Sequence, residues 1–310
     1  MRVSILCNEV FGGWEPDDKF LAGTEDSIVN WASELKKRGH EVMVFRNGKT
    51  PGNEFTLNGV TYKDREAYQH LSDVCINVKS SDILPVEPTL YLTNEFNASD
   101  LDLSAYAGVI WPSYWAAANI PVNNQTFILP HGYDPEEIYA ARKVSKQCFY
   151  ASSPDRGLQT LINIWPQVME AHPDASLILT YGAPKTNLPG IINLGEVDEE
   201  TMNQVYQTSD IWCHPCSGGE LYCMTGKKAQ VAGCIPVIIP RGALKETVKT
   251  GFMARDESEY LAMLLHVLNK PEEDRNLLRP EIIESAYAFT WQESTNILEK
   301  IIQSSYNKAI

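Results

Sequence analysis

The first group of residues that could do chemistry lies in a short loop between a predicted strand and a predicted helix, Ser153-Pro154-Asp155-Arg156-Gly157. Ser153 is a residue type that caps helices, and Pro154 suits the first helical position. A helix N-terminus offers free backbone N–H groups and partial positive charge, which favour phosphate. Arg156 would add a full positive charge to the same loop. The loop therefore predicts a phosphate site, with a capped helix and a solvated arginine as the alternative.

A second strand-to-helix loop, residues 217–220 (SGGE), offers a carboxylate beside two glycines. Glycine allows a ligand to approach the backbone closely. The carboxylate of Glu220 could accept hydrogen bonds from sugar hydroxyls, or it could stabilise the first turn of the helix predicted over about 224–232. Lys228 lies within that helix, where a solvated face is the plain interpretation.

The cysteine pattern admits a metal or redox interpretation. Cys213 and Cys216 form a C-x-x-C, and Cys223 and Cys234 would complete four thiol ligands for zinc. The outer spacings are not those of a standard zinc site, and redox motifs of this type open a helix in another fold. A strand end with buried thiols is the simpler interpretation.

Two further stretches of sequence bear on other enzyme classes, a metal-dependent enzyme and a dehydrogenase. Asp100 and Asp102 form a D-x-D, a pattern that can bind a metal ion, but their stretch is rich in residues that favour turns. A dinucleotide-binding dehydrogenase would need G-x-G-x-x-G after its first strand, and residues 7–14 (CNEVFGGW) do not supply it.

The elements that must position these residues alternate between strand and helix. Apolar runs predict strands at 2–7, 41–45, 73–78, 89–93, 108–111 and 126–129, and again at 147–151, 176–181, 191–194, 210–213 and 235–239. Helical stripes predict helices near 24–38, 158–169 and 261–268, and Thr290 with Glu293 forms a capping box before a last helix, 291–304. This alternation predicts an α/β fold with doubly wound parallel sheets.

Two such halves predict two domains. We assign 1–134 to the first and 145–289 to the second, with the last helix (290–310) packing back on the first. The polar stretch 131–146 is the best candidate for a linker.

Charge and composition exclude several kinds of partner. The 310 residues carry a formal net charge of −14, which disfavours nucleic-acid binding and docking on anionic lipid. No apolar run approaches the roughly 20 residues of a membrane span, so we expect no integral membrane segment. Seven cysteines, an odd number scattered among apolar residues, indicate reduced thiols and a cytoplasmic location.

Several segments together resemble one family. In colinear order they resemble the retaining glycosyltransferases of the GT-B fold, the large glycosyl transferases group 1 family, in a family-4-like form. The segments are AGTEDSIVNWASELKKRGHEVMVF (22–45), LPHGYD (129–134), YASSPDRGLQTLINIWPQVMEAHPDASLIL (150–179), LGEVDEETMNQVYQTSDIWCHP (194–215), GELYCMTGKKAQVAGCIPVII (219–239), GALKETVKTGFMA (242–254) and FTWQES (289–294). Residues 48–125 carry little of the resemblance.

The resemblance implies two Rossmann-like domains facing a cleft, with a nucleotide-diphosphate sugar on the second. Arg156 matches a basic residue that holds the donor diphosphate, and Glu220 matches the first signature glutamate, which contacts the donor sugar. We therefore assign Arg156 and Glu220 as catalytic. The remaining donor-side residues that we assign are Gly13, His131, Ser153, Tyr181, Gly182, Val197, Leu221, Tyr222, Cys223 and Lys228.

On the acceptor side we assign Trp14, Asn94 and Glu95. The last two follow a strand at the place where the family often has a histidine. The family's second signature glutamate is Lys228 here, and a second basic residue that usually precedes the Arg156 position is Ala151 or Ser152. The chain is thus predicted to move a sugar, with retention and without a metal or other cofactor, to a glycan or other hydroxyl acceptor. The alternative is a catalytically inactive GT-B-fold protein that binds a nucleotide or a sugar.

Overall fold

A computed structural model describes residues 1–7, 13–50, 52–70, 72–79, 87–93, 95–183 and 186–309. The strands are β1 (Arg2–Cys7), β2 (Glu41–Arg46), β3 (Phe55–Leu57), β4 (Val60–Asp64), β5 (Val74–Val78), β6 (Thr89–Leu92), β7 (Gly108–Trp111), β8 (Thr126–Ile128), β9 (Gly132–Tyr133), β10 (Val144–Tyr150), β11 (Ser176–Thr180), β12 (Ile191–Gly195), β13 (Ser209–His214), β14 (Ile235–Ile238), β15 (Phe252–Met253) and β16 (Phe289–Thr290). The α-helices are α1 (Gly23–Lys37), α2 (Tyr114–Asn119), α3 (Leu158–Ala171), α4 (Glu199–Thr208), α5 (Met224–Val231), α6 (Leu244–Thr247), α7 (Glu257–Leu268), α8 (Glu272–Ser285) and α9 (Trp291–Ala309).

The chain forms two compact units. The first holds Met1–Gly132 together with Phe289–Ile310, and the second holds Tyr133–Ala288. The stretch interpreted as a linker is not free: Ile138 is buried in the core of the second unit, and the side chain of Gln207 donates to the backbone oxygen of Glu137 at 2.7 Å. A buried isoleucine explains why this polar stretch packs, because its apolar surface leaves water on folding.

The first unit is built on a mostly parallel sheet. Within the described residues its strand order is β3-β4-β2-β1-β5-β6-β7-β8, and only β3 and β4 pair antiparallel. Helix α9 lies against α1, where the Trp31 indole donates to Ser294 at 2.8 Å. The predicted capping box forms, since Thr290 N donates to Glu293 and Glu293 N donates to Thr290 Oγ1 at 3.2 Å.

The second unit is built on a parallel sheet, which has six strands in the part of the chain that the structure describes. Their order is β12-β11-β10-β13-β14-β15, the 3-2-1-4-5-6 arrangement of a Rossmann sheet. Side chains alternate along β13, so Ile211 and Cys213 join one hydrophobic core while Trp212 joins the other. Each face is therefore covered, the first by α3 and α7 and the second by α4 and α5. The prediction of doubly wound α/β sheets is confirmed.

Helix α8 is joined to β13 by a buried ionic group. Asp210, at the start of β13, accepts hydrogen bonds from Arg275 Nε at 2.9 Å and from Arg279 Nη2 at 2.5 Å. The side chains of Asp210 and Arg275 are each 1% exposed. Ser145 accepts a further hydrogen bond from Arg275 at 2.7 Å, so the guanidinium has several acceptors although it is buried.

All seven cysteines are free thiols. In the described part of the chain, no helix is both long and apolar enough to span a membrane.

Candidate functional site

The carboxyl edge of the second sheet gathers most of the residues assigned to the donor side. In a Rossmann sheet, ligands bind beyond the carboxyl ends of the strands, at the point where the strand order reverses. Here that point lies between β10 and β13. Arg156 follows β10, and Glu220 follows β13. Tyr181 and Gly182 follow β11 and Val197 follows β12, so they lie on the same edge of the sheet.

Arg156 and Glu220 lie side by side at this switch point. Arg156 Nη1 is 3.7 Å from Glu220 Oε2, and it also donates to the backbone oxygen of Gly219. The Arg156 side chain is 30% exposed, whereas that of Glu220 is 15% exposed. A charged donor and a charged acceptor are thus both within reach of a ligand that carries phosphate and hydroxyl groups.

The loop after β10 differs from the prediction. Residues Pro154–Arg156 form a 3-10 turn, and α3 begins only at Leu158. Gly157 separates the two with a φ of 110°, which a helix cannot contain. Ser153 does not cap a helix, because its hydroxyl donates to the Asp155 carboxylate instead. The helix N-terminus predicted at 154–157 is therefore displaced to Leu158.

The loop after β13 also differs. Helix α5 begins at Met224, as predicted, but Glu220 is not part of it: Cys223 adopts a φ of 69°, and Glu220 pairs with Gly242 in an isolated parallel bridge. Glu220 therefore lies outside the helix that carries Lys228. Leu221 and Tyr222 are buried, so they contribute backbone and packing to this loop.

Backbone contacts lock the two loops together. Ser217 Oγ donates to the backbone oxygen of Asp155 at 2.6 Å, and Thr225 Oγ1 donates to that of Ala151 at 2.9 Å. A Cβ on Gly157 would lie 1.9 Å from the backbone oxygen of Pro215. The geometry of Arg156 and Glu220 is thus set by the two loops themselves.

Lys228 points from α5 toward the start of α4. Its Nζ is 3.9 Å from Glu199 Oε1, and its side chain is 13% exposed. Glu199 is two residues beyond Val197, which the resemblance places beside the nucleotide base. Lys228 therefore lies on the Val197 side of the edge rather than beside Glu220.

His214 is the residue of this site that sequence reasoning missed. It ends β13, is 1% exposed, and its Nε2 lies 3.3 Å from Glu220 Oε1. In the sequence it stands out only as one of the two residues between Cys213 and Cys216. Its position at the last residue of a strand beside the switch point is the signal that could have identified it.

The thiols do not form the four-cysteine group considered above. Cys213 packs in one core of the second unit, while Cys216 and Cys234 pack in the other. A different set of potential ligands is close: donor atoms of His214, Cys216 and Glu220 all lie within 4.8 Å of one another. Burial raises the pKa of the Cys216 thiol, so a cation here would first have to displace its proton.

The remaining assigned residues belong to the first unit. Gly13 has a φ of 71°, and a Cβ there would come within 2.8 Å of the backbone oxygen of Gly48. Trp14 is 3% exposed and packs edge-on against Tyr62, so its ring belongs to the core. Glu95 is half-buried just after β6. Asn94 lies outside the described residues.

His131 and the D-x-D also belong to the first unit. His131 is buried, its Nδ1 lies 2.7 Å from Ser27 Oγ, and its ring stacks on Trp31 with centroids 5.5 Å apart. Asp100 ends a 3-10 turn, and Asp102 accepts a hydrogen bond from Ser104 N at 3.1 Å. These contacts fit the turn interpretation of the D-x-D.

No protein-family model and no curated protein sequence matches the chain. Solved structures do match it over almost its whole length. Sucrose-phosphate synthase from Thermosynechococcus elongatus is 12% identical, with a TM-score of 0.75 and 99% of each chain covered. HepE from Anabaena, solved with UDP and glucose, is 13% identical, with a TM-score of 0.71 and 97% of this chain and 99% of that chain covered.

The catalytic domain of starch synthase IV from Arabidopsis thaliana, bound to ADP and acarbose, is 11% identical, with a TM-score of 0.69 and 98% of this chain and 99% of that chain covered. At such identities the similarity is one of fold. Two Rossmann-like parallel sheets, and the match to these three structures, show that the chain has the GT-B fold of glycosyltransferases.

Proposed function

We propose that this protein is a glycosyltransferase that moves a sugar from a nucleotide-diphosphate sugar to a hydroxyl acceptor. The observation that carries the proposal is the pairing of Arg156 with Glu220, 3.7 Å apart, at the switch point of the second sheet. An arginine suits the diphosphate and a carboxylate suits sugar hydroxyls, so the pair matches the two halves of such a donor. Among the similar structures, HepE is in complex with UDP or UDP-glucose, and starch synthase IV is bound to ADP.

The proposed mechanism relies on stabilising the leaving group. Cleavage of the anomeric bond develops positive charge on the sugar and negative charge on the departing diphosphate. Arg156 and the positive end of the helix dipole at the start of α5 would stabilise that negative charge. Glu220 would accept hydrogen bonds from the sugar. By resemblance, a donor phosphate oxygen takes the acceptor proton on the same face, which gives retention without a protein nucleophile.

The other assigned residues take roles that follow from their places. Tyr181, Gly182 and Val197 border the nucleoside half of the donor on the second unit, and Lys228 stands on that side through its contact with Glu199. The first unit is proposed to bind the acceptor, with Glu95 among its contacts.

A panel of nucleotide sugars tests the proposal. Each would be incubated with the full-length protein and simple glycan acceptors, and released nucleoside diphosphate and glycoside product would be measured. Transfer from at least one donor, with the anomeric configuration of the product unchanged by NMR, is the expected result. Binding of a donor without any release or transfer would instead identify a catalytically inactive binding protein, and no binding at all would contradict both.

Activity is expected to survive the removal of divalent metal ions. Arg156 and the start of α5 supply positive charge at the leaving group, which is the role that a bound divalent cation would otherwise take. Transfer would be assayed in excess EDTA and then with added manganese, and the two rates should agree within about twofold. Loss in EDTA with rescue by manganese would contradict the expectation and bring Asp100 and Asp102 back into consideration.

Glu220→Gln is expected to lower kcat/KM by about tenfold or more while leaving nucleoside diphosphate affinity nearly unchanged. A neutral amide accepts a weaker hydrogen bond from a sugar hydroxyl than a carboxylate does, and charged hydrogen bonds contribute about 1.5–3 kcal/mol. Lys228→Ala is the matched contrast, because it should weaken nucleotide binding itself by roughly two- to fivefold. The opposite pattern in steady-state kinetics and calorimetry would show that the two roles are exchanged.

A further inference from the structure

His214 is a buried imidazole that stacks on two aromatic rings. Its ring stacks on Trp212 with centroids 5.4 Å apart and planes 16° apart, and on Tyr150 with centroids 5.9 Å apart and planes 24° apart. Trp212 precedes it by two residues on the same face of β13, and Tyr150 ends the neighbouring strand β10. Because both rings belong to strands of the sheet, they restrain the plane of the imidazole.

That edge meets the carboxylate of Glu220. Nε2 lies 3.3 Å from Glu220 Oε1, while the other carboxylate oxygen lies 3.7 Å from Arg156 Nη1. Within the described residues, neither ring nitrogen of His214 makes a well-aligned hydrogen bond. A buried polar group without such a bond is costly, and hydrogen bonds at functional sites are often long before the ligand binds. The His214–Glu220 contact is therefore of the kind that shortens to a hydrogen bond when the nucleotide sugar binds.

The main chain of Glu220 is fixed more firmly than its side chain. The residue pairs with Gly242, and its backbone oxygen accepts from Ala243 N at 2.7 Å. The side chain still has three rotatable bonds, and the arginine alone contacts one oxygen at a distance beyond a normal hydrogen bond. A rigid hydrogen-bond donor on the opposite oxygen would select one rotamer of Glu220.

We propose that His214 is a positioning residue for Glu220: its imidazole donates Nε2–H to Oε1 and so orients the carboxylate toward the hydroxyls of the donor sugar. This inference rests on the proposed function, since it names the group that orients the sugar-binding carboxylate. The aromatic stack restrains the imidazole, and Arg156 contacts the opposite oxygen of the carboxylate. The remaining lone pairs of the carboxylate face the nucleotide sugar.

The first test needs no ligand. In the full-length protein labelled with ¹⁵N-histidine, the His214 signals are identified by their loss in His214→Gln. The expected spectrum shows a proton on Nε2, and Glu220→Gln should shift its Nε2 resonance. Glu257→Gln, which changes a carboxylate that pairs with Arg241 near the same edge, should leave that resonance in place. An Nδ1–H tautomer, or a resonance that ignores Glu220→Gln, would overturn the proposal.

The second test separates positioning from packing. His214→Phe keeps a stacking ring without a donor, and His214→Gln keeps an N–H donor at the ε position. With the nucleotide sugar and nucleoside diphosphate that the panel selects, His214→Phe should weaken nucleotide-sugar binding by about tenfold but hardly change diphosphate binding. His214→Gln should recover part of that loss, and neither change should add to Glu220→Gln. Equal losses for both ligands would mean a structural role and would overturn the inference.

Two outcomes keep the inference distinct from the proposed function. In the first outcome, the wild-type protein binds no nucleotide sugar although its His214 resonance responds to Glu220→Gln. That result would contradict the proposed function, and it would mean that the His214–Glu220 pair does not serve sugar binding. Zinc that copurifies with the wild type and is lost in His214→Gln and Cys216→Ala would replace positioning by metal ligation, because these two side chains and Glu220 have ligand spacing. Either result would overturn the proposal.

Discussion

Asp210→Ala is expected to lower the free energy of unfolding by about 3–5 kcal/mol, because removing one partner of a buried ion pair leaves an uncompensated charge. Asp210 accepts from both Arg275 and Arg279, and it also accepts from the backbone N–H of Lys146 at 2.8 Å. Its loss would leave the Arg275 guanidinium, 1% exposed, without its carboxylate. Denaturant titration followed by circular dichroism measures the effect.

Two companion variants make this result interpretable. Asp174→Ala removes a carboxylate that pairs with Lys146 at 2.9 Å but is 66% exposed, so it should cost less than about 1 kcal/mol. Asp210→Asn keeps the shape and one acceptor and should fall between the two. Equal unfolding midpoints for Asp210→Ala and Asp174→Ala would show that the buried group does not hold α8 to the sheet.

Arg156→Ala is expected to weaken nucleoside diphosphate binding by about 10- to 150-fold, the equivalent of about 1.5–3 kcal/mol for a charged phosphate contact. Arg156 is 30% exposed beside the start of α5, and Glu220 already neutralises part of its charge. Isothermal titration with the nucleoside diphosphate measures the loss. Arg156→Lys should recover only part of it, because lysine lacks the planar pair of donors.

The control for Arg156 is another arginine that anchors the same loop. Arg241 Nη1 donates to the backbone oxygen of Ser217 at 2.5 Å and pairs with Glu257, much as Arg156 donates to that of Gly219. Arg241→Ala therefore removes a loop contact without removing the proposed phosphate contact, and its binding should stay within about threefold of the wild type. Similar losses in both variants would assign the effect to the loop rather than to the diphosphate.

Local patterns were enough to predict most of the sheets. Strands such as 2–7 and 108–111 are apolar runs bounded by turn residues, and burial on both faces of a parallel sheet requires that composition. The hairpin of β3 and β4 was not predicted, although Asn-Gly is a known signal for its turn. Asn58 and Gly59 both take the positive φ that such a turn needs. Short edge strands carry too few apolar residues to stand out.

Helix α8 and the details of the site depend on distant residues. Residues 272–285 contain Pro280 and show little apolar periodicity, and the helix is held by Arg275 reaching Asp210, 65 positions away. Arg156 and Glu220 could be found from loop position and resemblance. The role of His214 could not, because it depends on Tyr150, which the sheet brings beside it from 64 residues earlier.

Two positions without side chains have a consequence for protein engineering. A Cβ on Gly157 would run into Pro215, and a Cβ on Gly242, whose φ is 62°, would lie 2.4 Å from the backbone oxygen of Glu220. In a library that samples every substitution at every position, both should score as intolerant as the charged residues that they adjoin, although neither has a side chain that could contact a ligand. Attempts to change the proposed donor are therefore better directed at Val197 and Lys228, which lie outside these two loops, than at the loops around Glu220.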